Sequence, residues 1–280
     1  MSSPFRTIEI SDARFEVNGL RWVTVKSPAL QQRVDLTLFV PPQADTIRDL
    51  PLVILLHGVY GSHWAWALKG GAHHTTWRMI DKAEIPPMAL AMPSDGLWGD
   101  GSGYVSHRTQ DFERWIVDEV PLAAMEAVKG LSPRSPKFIS GLSMGGFGAL
   151  RLAAKYPSHF QGAGGHSSMT HFDQHTQFVI EPLASYDCPP EDRSVYETML
   201  RNRAALPPIR FDCGTEDQLL QANRDLHAQL EAAGIPHQYA EFPGGHQWPY
   251  WQEHLSEMLK FFGGLAAKQS ATAPGHGRLS

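Results

Sequence analysis

The chain has 280 residues, of which 42% are hydrophobic and 19% are charged, and its formal net charge at pH 7 is -5. This is the composition of a globular protein long enough for one large α/β domain, and the mild acidity gives no reason to expect nucleic acid or a membrane surface as a partner. Two cysteines, Cys188 and Cys213, are too few for a disulfide framework and are interpreted as structural thiols. The first residues lack the pattern of a signal peptide, and no apolar run approaches the ~18 residues of a membrane span, so we expect a cytoplasmic protein.

The first predicted strands differ in pattern from the later ones. LRWVTV (20–25) and RVDLTLFV (33–40) alternate apolar and polar side chains, as antiparallel strands with one solvated face do. The later runs are short and almost wholly apolar, as expected for parallel strands covered on both faces: LVILL, MALAM, KFIS and IRFDC.

Helical patterns alternate with these later strands. Apolar side chains repeat at helical spacing in DFERWIVDEV, DQLLQANRDLHAQLEAAG and HLSEMLKFF. Strand–helix alternation after an antiparallel start predicts a doubly wound, mostly parallel α/β sheet with antiparallel N-terminal strands, in a single domain over residues 1–265. Residues 266–280 are small and polar and are expected to form a disordered tail.

Three glycines surround Ser143 in GLSMGG, residues 141–146. The flanking KFIS and MGGFGALRLAAKY are a predicted strand and a predicted helix, which is the setting of a G-x-S-x-G nucleophile elbow. A turn this sharp strains the serine backbone and crowds the positions two before and two after it, where only glycine leaves room. Ser143 is therefore the predicted nucleophile, and the alternative is a glycine-rich turn with an idle serine.

A serine nucleophile needs a base and a group that orients the base, and in this setting the acid precedes the histidine along the chain. Asp217 follows the predicted strand IRFDC, at the edge where open α/β sheets gather their sites. An N-cap is the alternative role for Asp217, and Glu216 is its nearest competitor. His246, in the loop PGGHQW after the last predicted strand, is the predicted base. His57 and His166 also follow predicted strands and are interpreted as hydrogen-bonded loop histidines.

Acyl transfer also needs hydrogen-bond donors for the developing oxyanion. One predicted donor is the backbone N–H of Met144, which follows the nucleophile at a helix N-terminus. The loop after LVILL supplies the second, with Val59 the first choice and Tyr60 the second choice.

Aromatic side chains are concentrated in loops predicted to lie at the same rim of the sheet. A cleft with aromatic walls suits an apolar acyl chain, an aryl ester or the face of a sugar. Trp66 belongs to this group, and the predicted substrate-binding residues within it are Trp64, Trp98, Trp248 and Trp251.

Two further segments are candidates for parts of the site. The histidines His63, His73 and His74 have no carboxylate at ligand spacing, so we predict no metal. The proline-rich segment 167–205 joins two strands by a long excursion and could partly cover the site, as long loops in compact domains often do.

The residues LLHGVYGS, PSDG, ERWIVDEVP, GLSMGGFGAL and CGTED…GGHQWPYW together resemble the esterase D or putative esterase family of α/β-hydrolases, over about residues 30–262. That group includes S-formylglutathione hydrolases, tributyrin esterase, feruloyl and acetyl-xylan esterases and mycolyltransferases. The resemblance implies a triad of Ser143, Asp217 and His246, oxyanion donors at Val59 and Met144, and no cofactor. S-formylglutathione hydrolases tend to carry HSYYF where this chain has HQWPYW, which makes a glutathione thioester a less favoured substrate.

The predicted function is that of a serine carboxylic-ester hydrolase acting through an acyl-enzyme on short-chain acyl, aryl or sugar esters. The alternatives are an acyltransferase to a sugar or alcohol, a thioesterase of the S-formylglutathione hydrolase type, and, less favoured, a non-catalytic binding protein on the same fold. The expected partner is a small-molecule ester, without nucleic acid or membrane, and self-association into a homo-oligomer stays open.

Overall fold

One mixed sheet organises the protein, which the computed structural model describes over residues 3–272. Across these residues nine strands follow the order β1-β2-β3-β5-β4-β6-β7-β8-β9. The strands are β1 Ile8–Ile10, β2 Leu20–Lys26, β3 Arg33–Phe39, β4 Leu52–Leu56, β5 Ala89–Pro93, β6 Lys137–Gly141, β7 Gly162–His166, β8 Ile209–Gly214 and β9 Gln238–Phe242.

The type of strand pairing changes once across the sheet, from antiparallel to parallel. Strands β1, β2, β3 and β5 pair antiparallel in that order. From β5 through β4, β6, β7 and β8 to β9, every neighbouring pair is parallel. This confirms the predicted α/β fold, a mostly parallel sheet with antiparallel N-terminal strands.

Helices cover both faces of the sheet. The α-helices are α1 Ala65–Leu68, α2 Ala72–Asp81, α3 Phe112–Arg114, α4 Val120–Ala127, α5 Met144–Lys155, α6 Val195–Arg201, α7 Leu220–Ala232 and α8 Trp248–Thr272. A π-helical turn, Trp115–Glu119, joins α3 to α4. Within residues 3–272, no helix has both the length and the apolar character that crossing a lipid bilayer requires.

The central strand β4 shows how the core divides. All five of its residues are buried. Leu52, Ile54 and Leu56 pack with helices α3 to α7 in one apolar cluster. Val53 and Leu55 pack with α1, α2 and α8 in a second cluster. Because side chains alternate across a strand, the continuous apolar run in LVILL serves two cores, one on each face of the sheet.

The C-terminal end of the chain departs from the sequence prediction. Helix α8 continues to Thr272, so the expectation of a disordered tail from residue 266 is wrong for residues 266–272. Ala266 is buried within the second core cluster, which ties this last part of the helix to the domain. The rest of the predicted tail, 273–280, lies outside the described residues.

Helix α4 and the segment before it also differ from a simple α-helix. The N–H of Val120 donates to the carbonyl of Trp115, five residues earlier. Pro121 has no N–H to continue an α-helical ladder, which accounts for the wider turn at this point.

Candidate active site

Ser143 occupies a sharp turn between β6 and α5, at φ 55° and ψ -118°. A Cβ atom on Gly141 would lie 2.3 Å from the carbonyl oxygen of Gly145, and one on Gly145 would lie 2.3 Å from that of Leu56. Both positions therefore require glycine. The N–H of Ser143 donates to the carbonyl of His166 at 3.0 Å, which fixes the strained residue to the neighbouring strand.

A continuous chain of hydrogen bonds joins Ser143, His246 and Asp217. Ser143 Oγ lies 3.0 Å from Nε2 of His246. On the other side of the imidazole, Nδ1 lies 2.9 Å from Oδ2 and 3.1 Å from Oδ1 of Asp217. An ionised carboxylate can only accept, so Nδ1 donates to Asp217 and Nε2 is free to accept from Ser143. The structure thus brings together the three residues predicted from the sequence.

The carboxylate of Asp217 is buried but well supplied with hydrogen-bond donors. Burial by itself would raise the pKa of Asp217, but the hydrogen bond and charge of His246 and the N–H of Leu219 outweigh it, so the net pKa is lowered. The Leu219 N–H lies 2.8 Å from Oδ1, so Asp217 also supports the turn before α7. Its competitor Glu216 is exposed and lines the cleft without contacting His246 by a hydrogen bond.

Two aromatic rings hold the imidazole of His246. Phe178 is stacked on it, with ring centroids 5.8 Å apart and an interplanar angle of 20°. Trp251 meets it edge-on, at 5.1 Å and 89°. The histidine side chain is 20% exposed, so it stays open to the cleft while its orientation is restricted.

His57 orients the loop that faces Ser143. The backbone N–H of Asp95 lies 3.1 Å from Nε2 of His57, which makes Nε2 the acceptor and leaves the proton on Nδ1. Nδ1 lies 2.7 Å from the carbonyl oxygen of Gly58 and donates to it. Because the carbonyl of Gly58 and the N–H of Val59 point to opposite sides of one trans peptide, this bond turns the Val59 N–H away from the imidazole.

The candidate oxyanion donors differ in whether their N–H groups are engaged. The N–H of Tyr60 donates to the carbonyl of Asp100 at 2.8 Å, so this second-choice donor is occupied. Within residues 3–272, neither the N–H of Val59 nor that of Met144 has a hydrogen-bond acceptor in the protein. Of the predicted residues, these two amides are therefore the ones free to bind a ligand.

His166 is a hydrogen-bonded histidine apart from the triad, but the interpretation of it as a loop residue is wrong, because it is the last residue of β7. Its imidazole Nδ1 lies 3.0 Å from Oδ1 of Asp212, and both side chains are fully buried. The hydroxyl of Tyr250 donates to the same oxygen at 2.9 Å. This pair lies beneath the elbow and fixes the strand whose carbonyl holds Ser143.

A cleft of about 690 Å³ opens over Ser143 and His246. Trp64, Trp248 and Trp251 line it, as the sequence predicted, and Trp66 supports Trp248 from the core at 5.7 Å. The side chains that sequence reasoning did not assign to the cleft wall include Tyr60, Lys69, Phe178, Gln218 and Gln247.

Trp98, predicted from the sequence to bind substrate, is not among the residues that line this cleft. Its ring packs at 4.4 Å on His107 and at 4.9 Å on Tyr186 instead. The loop after β5 folds back on the segment that follows β7, a tertiary contact with no signal in the local sequence.

The candidate metal ligands His63, His73 and His74 make other contacts. Nδ1 of His63 lies 2.8 Å from the hydroxyl of Thr37, and the rings of His73 and His74 lie 3.9 Å apart with their planes tilted by 37°. In the described part of the chain, no three His, Cys, Asp or Glu side chains are grouped so as to hold a metal ion.

Comparisons with known proteins give a consistent result. The family model described as Putative esterase matches residues 27–262. An acetyl esterase of Caldicellulosiruptor saccharolyticus is 28% identical over 236 residues, which cover 76% of this chain and 83% of that protein. Esterase Rv1288 of Mycobacterium tuberculosis is 33% identical over 236 residues. The aligned part covers 71% of this chain but only 49% of that longer protein.

Solved structures with the same fold are more distant in sequence. A ferulic acid esterase superposes with a TM-score of 0.74 at 22% identity, covering 93% of this chain and 99% of its own. The S-formylglutathione hydrolase FrmB of Staphylococcus aureus gives a TM-score of 0.73 at 17% identity, with the same coverage of 93% and 99%. These likenesses establish the α/β-hydrolase fold for this chain.

Proposed function

The chain belongs to the Putative esterase family and is a carboxylesterase-type serine hydrolase, and from that premise we propose that Ser143, His246 and Asp217 are its catalytic triad. The observation that carries this proposal is the unbroken hydrogen-bond chain from Ser143 Oγ, at 3.0 Å to Nε2 of His246, and on from Nδ1, at 2.9 Å, to Asp217. Each group has the partner that its proposed role requires.

The reaction proceeds through an acyl-enzyme. Ser143 Oγ bonds to the ester carbonyl carbon while its proton passes to Nε2 of His246, and Asp217 stabilises the imidazolium. The tetrahedral intermediate then collapses, the bond to the alcohol oxygen breaks, and His246 gives that oxygen the proton. Water, deprotonated by His246, attacks the acyl carbon, and the carboxylic acid leaves as Ser143 recovers its proton.

The N–H groups of Val59 and Met144 serve as the oxyanion hole. Both lack a partner in the described part of the protein, and Met144 is the first residue of α5, where the helix dipole favours negative charge. Removal of one such donor typically costs about 2.7–4 kcal/mol of transition-state stabilisation.

The substrate is a small ester with a short acyl group and an aryl or sugar component. Support comes from the aromatic walls of the cleft, formed by Trp64, Trp248 and Trp251. The similar proteins include an acetyl esterase by sequence and a ferulic acid esterase by structure, and both names fit the same substrate class. A cytoplasmic location and the absence of nucleic-acid and membrane partners stay predictions from the sequence.

The triad is tested by the pre-steady-state release of p-nitrophenol from p-nitrophenyl acetate. The wild-type protein should show a burst, and Ser143→Ala should abolish both burst and turnover while its circular dichroism spectrum is unchanged. Ser158→Ala, at an exposed serine outside the cleft, is the matched control and should retain both. Turnover retained by Ser143→Ala would contradict the proposal.

A further inference from the structure

Two loops that are far apart in the sequence join at the cleft. The hydroxyl of Tyr60 donates to the backbone carbonyl of Phe178, and both residues line the cleft together with Ser143 and His246. We name this contact the aromatic bridge, formed by Tyr60 and Phe178. It connects the loop after β4 with the segment after β7, so neither side can move freely while the bond is formed.

Asp100 holds both ends of the aromatic bridge. Its carbonyl accepts the N–H of Tyr60 at 2.8 Å. Its Oδ2 accepts the N–H of Ile180 at 3.3 Å, and its own N–H donates to Oε1 of Glu181 at 3.2 Å. The two arms are therefore fixed to a common residue outside the cleft.

The backbone of Tyr60 is strained in the bridged state. Its φ is 61°, in the left-handed region that is unfavourable for a residue with a side chain. The side chain is 67% exposed, so burial in the core does not explain this conformation. Desolvation and the nearby Asp100 and Glu181 carboxylates raise the pKa of Tyr60, so the hydroxyl keeps its proton and stays a donor.

Phe178 lies next to the imidazole that would protonate the departing alcohol. Its ring is stacked on His246 at 5.8 Å, and under the proposed function that imidazole delivers a proton to the departing oxygen. The group next to the imidazole therefore bounds the space for the alcohol component. We infer that the aromatic bridge limits the size of the alcohol that the enzyme accepts, an inference that rests on the proposed triad.

The test compares two acetate esters that differ only in the leaving phenol, p-nitrophenyl acetate and the bulkier 4-methylumbelliferyl acetate. They form the same acetyl-enzyme, so the ratio of their kcat/KM values reports acylation alone. Tyr60→Phe keeps the ring and removes the hydrogen-bond donor. It should raise the ratio of kcat/KM for the larger ester to kcat/KM for the smaller one at least about fivefold, a change of the size that differences in pocket shape produce. Phe178→Leu, which removes the ring, should shift the ratio in the same direction.

Two controls distinguish a specific effect of the aromatic bridge from a general increase in the mobility of the cleft. Tyr186→Phe removes a hydroxyl that donates to the carbonyl of Gly101 at 3.0 Å, outside the cleft, and should leave the ratio unchanged. The ratio of p-nitrophenyl hexanoate to p-nitrophenyl acetate, which varies the acyl group, should stay constant in Tyr60→Phe. An unchanged alcohol ratio, or a change in the acyl ratio instead, would overturn the inference. Failure of the triad would show separately, as turnover of p-nitrophenyl acetate retained by Ser143→Ala.

Discussion

Arg151 and Glu113 form a buried ion pair behind the nucleophile, with Nη1 2.7 Å from Oε1 and side chains 0% and 5% exposed. Glu113 also accepts from Lys155 at 2.9 Å and from the hydroxyl of Tyr156 at 2.8 Å. The pair connects α3 to α5, the helix that begins directly after Ser143, so its stability bears on the site.

Glu113→Gln should destabilise the protein at pH 7. Burial alone would raise the pKa of Glu113, but Arg151 and Lys155 outweigh it and lower the pKa to about 2. Relative to the ordinary value of 4.5, this corresponds to about 3 kcal/mol of stability. Urea denaturation should show a loss of that order, whereas Glu257→Gln, in an exposed ion pair with Lys260, should change the free energy of unfolding little.

The same carboxylate predicts a pH dependence. A lowered pKa means that the stabilisation is complete above the ordinary value of 4.5 and disappears as the pH falls through about 2. The difference in unfolding free energy between wild type and Glu113→Gln should therefore shrink across this window. A difference that stays constant down to pH 2 would show that the charge of Glu113 is not what stabilises the fold.

His57→Ala should impair catalysis without removing a triad member. The imidazole fixes the carbonyl of Gly58 at 2.7 Å and thereby the direction of the Val59 N–H. We expect kcat to fall about 10- to 100-fold with little change in KM, less than the 10²–10³ that follows complete loss of a donor. His159→Ala, in a surface turn, is the control, and an unchanged kcat in His57→Ala would exclude the orienting role.

Asp217→Asn should lower kcat by about 10⁴-fold while the fold is retained, because an amide no longer enforces the imidazole tautomer. Asp217 is buried against His246 and Leu219, so the measurement needs a thermal denaturation curve beside the kinetics. Glu216→Gln, at the exposed neighbour, should keep most activity. The reverse ranking would reassign the acid to Glu216.

Gly145→Ala should abolish activity and reduce the yield of folded protein. The added Cβ would lie 2.3 Å from the carbonyl of Leu56 and 2.5 Å from that of His57, and backbone at such distances cannot yield without moving β4. Gly264→Ala provides the matched control, because nothing lies within 4 Å of its Cβ position in α8. That variant should gain about 0.5–1 kcal/mol of stability.

The sequence is sufficient to predict those parts of the site whose geometry depends on local backbone constraints. The crowding of Gly141 against Gly145 follows from the sharp turn at Ser143, and the elbow could be located from spacing alone. The positions of Asp217 and His246 followed from the rule that loops after parallel strands meet at one edge.

The remaining features depend on tertiary contacts. Nothing near Trp98 indicates that it packs on Tyr186, or that Phe178 reaches His246. The end of α8 differs from the prediction for another reason: the residues AAKQ are small and polar, as in a disordered tail, but alanine, lysine and glutamine also favour helix. The short edge strand β1 was missed because three residues give no periodic signal.

Peptide mapping of the acid-quenched burst tests the nucleophile most directly. After brief reaction with p-nitrophenyl acetate, the wild-type protein should carry a single acetyl group, and fragmentation should place it on Ser143. His246→Ala should show no such adduct under the same conditions. An acetyl group found on another side chain, such as the cleft residue Lys69, or a burst without any adduct, would contradict the proposed mechanism.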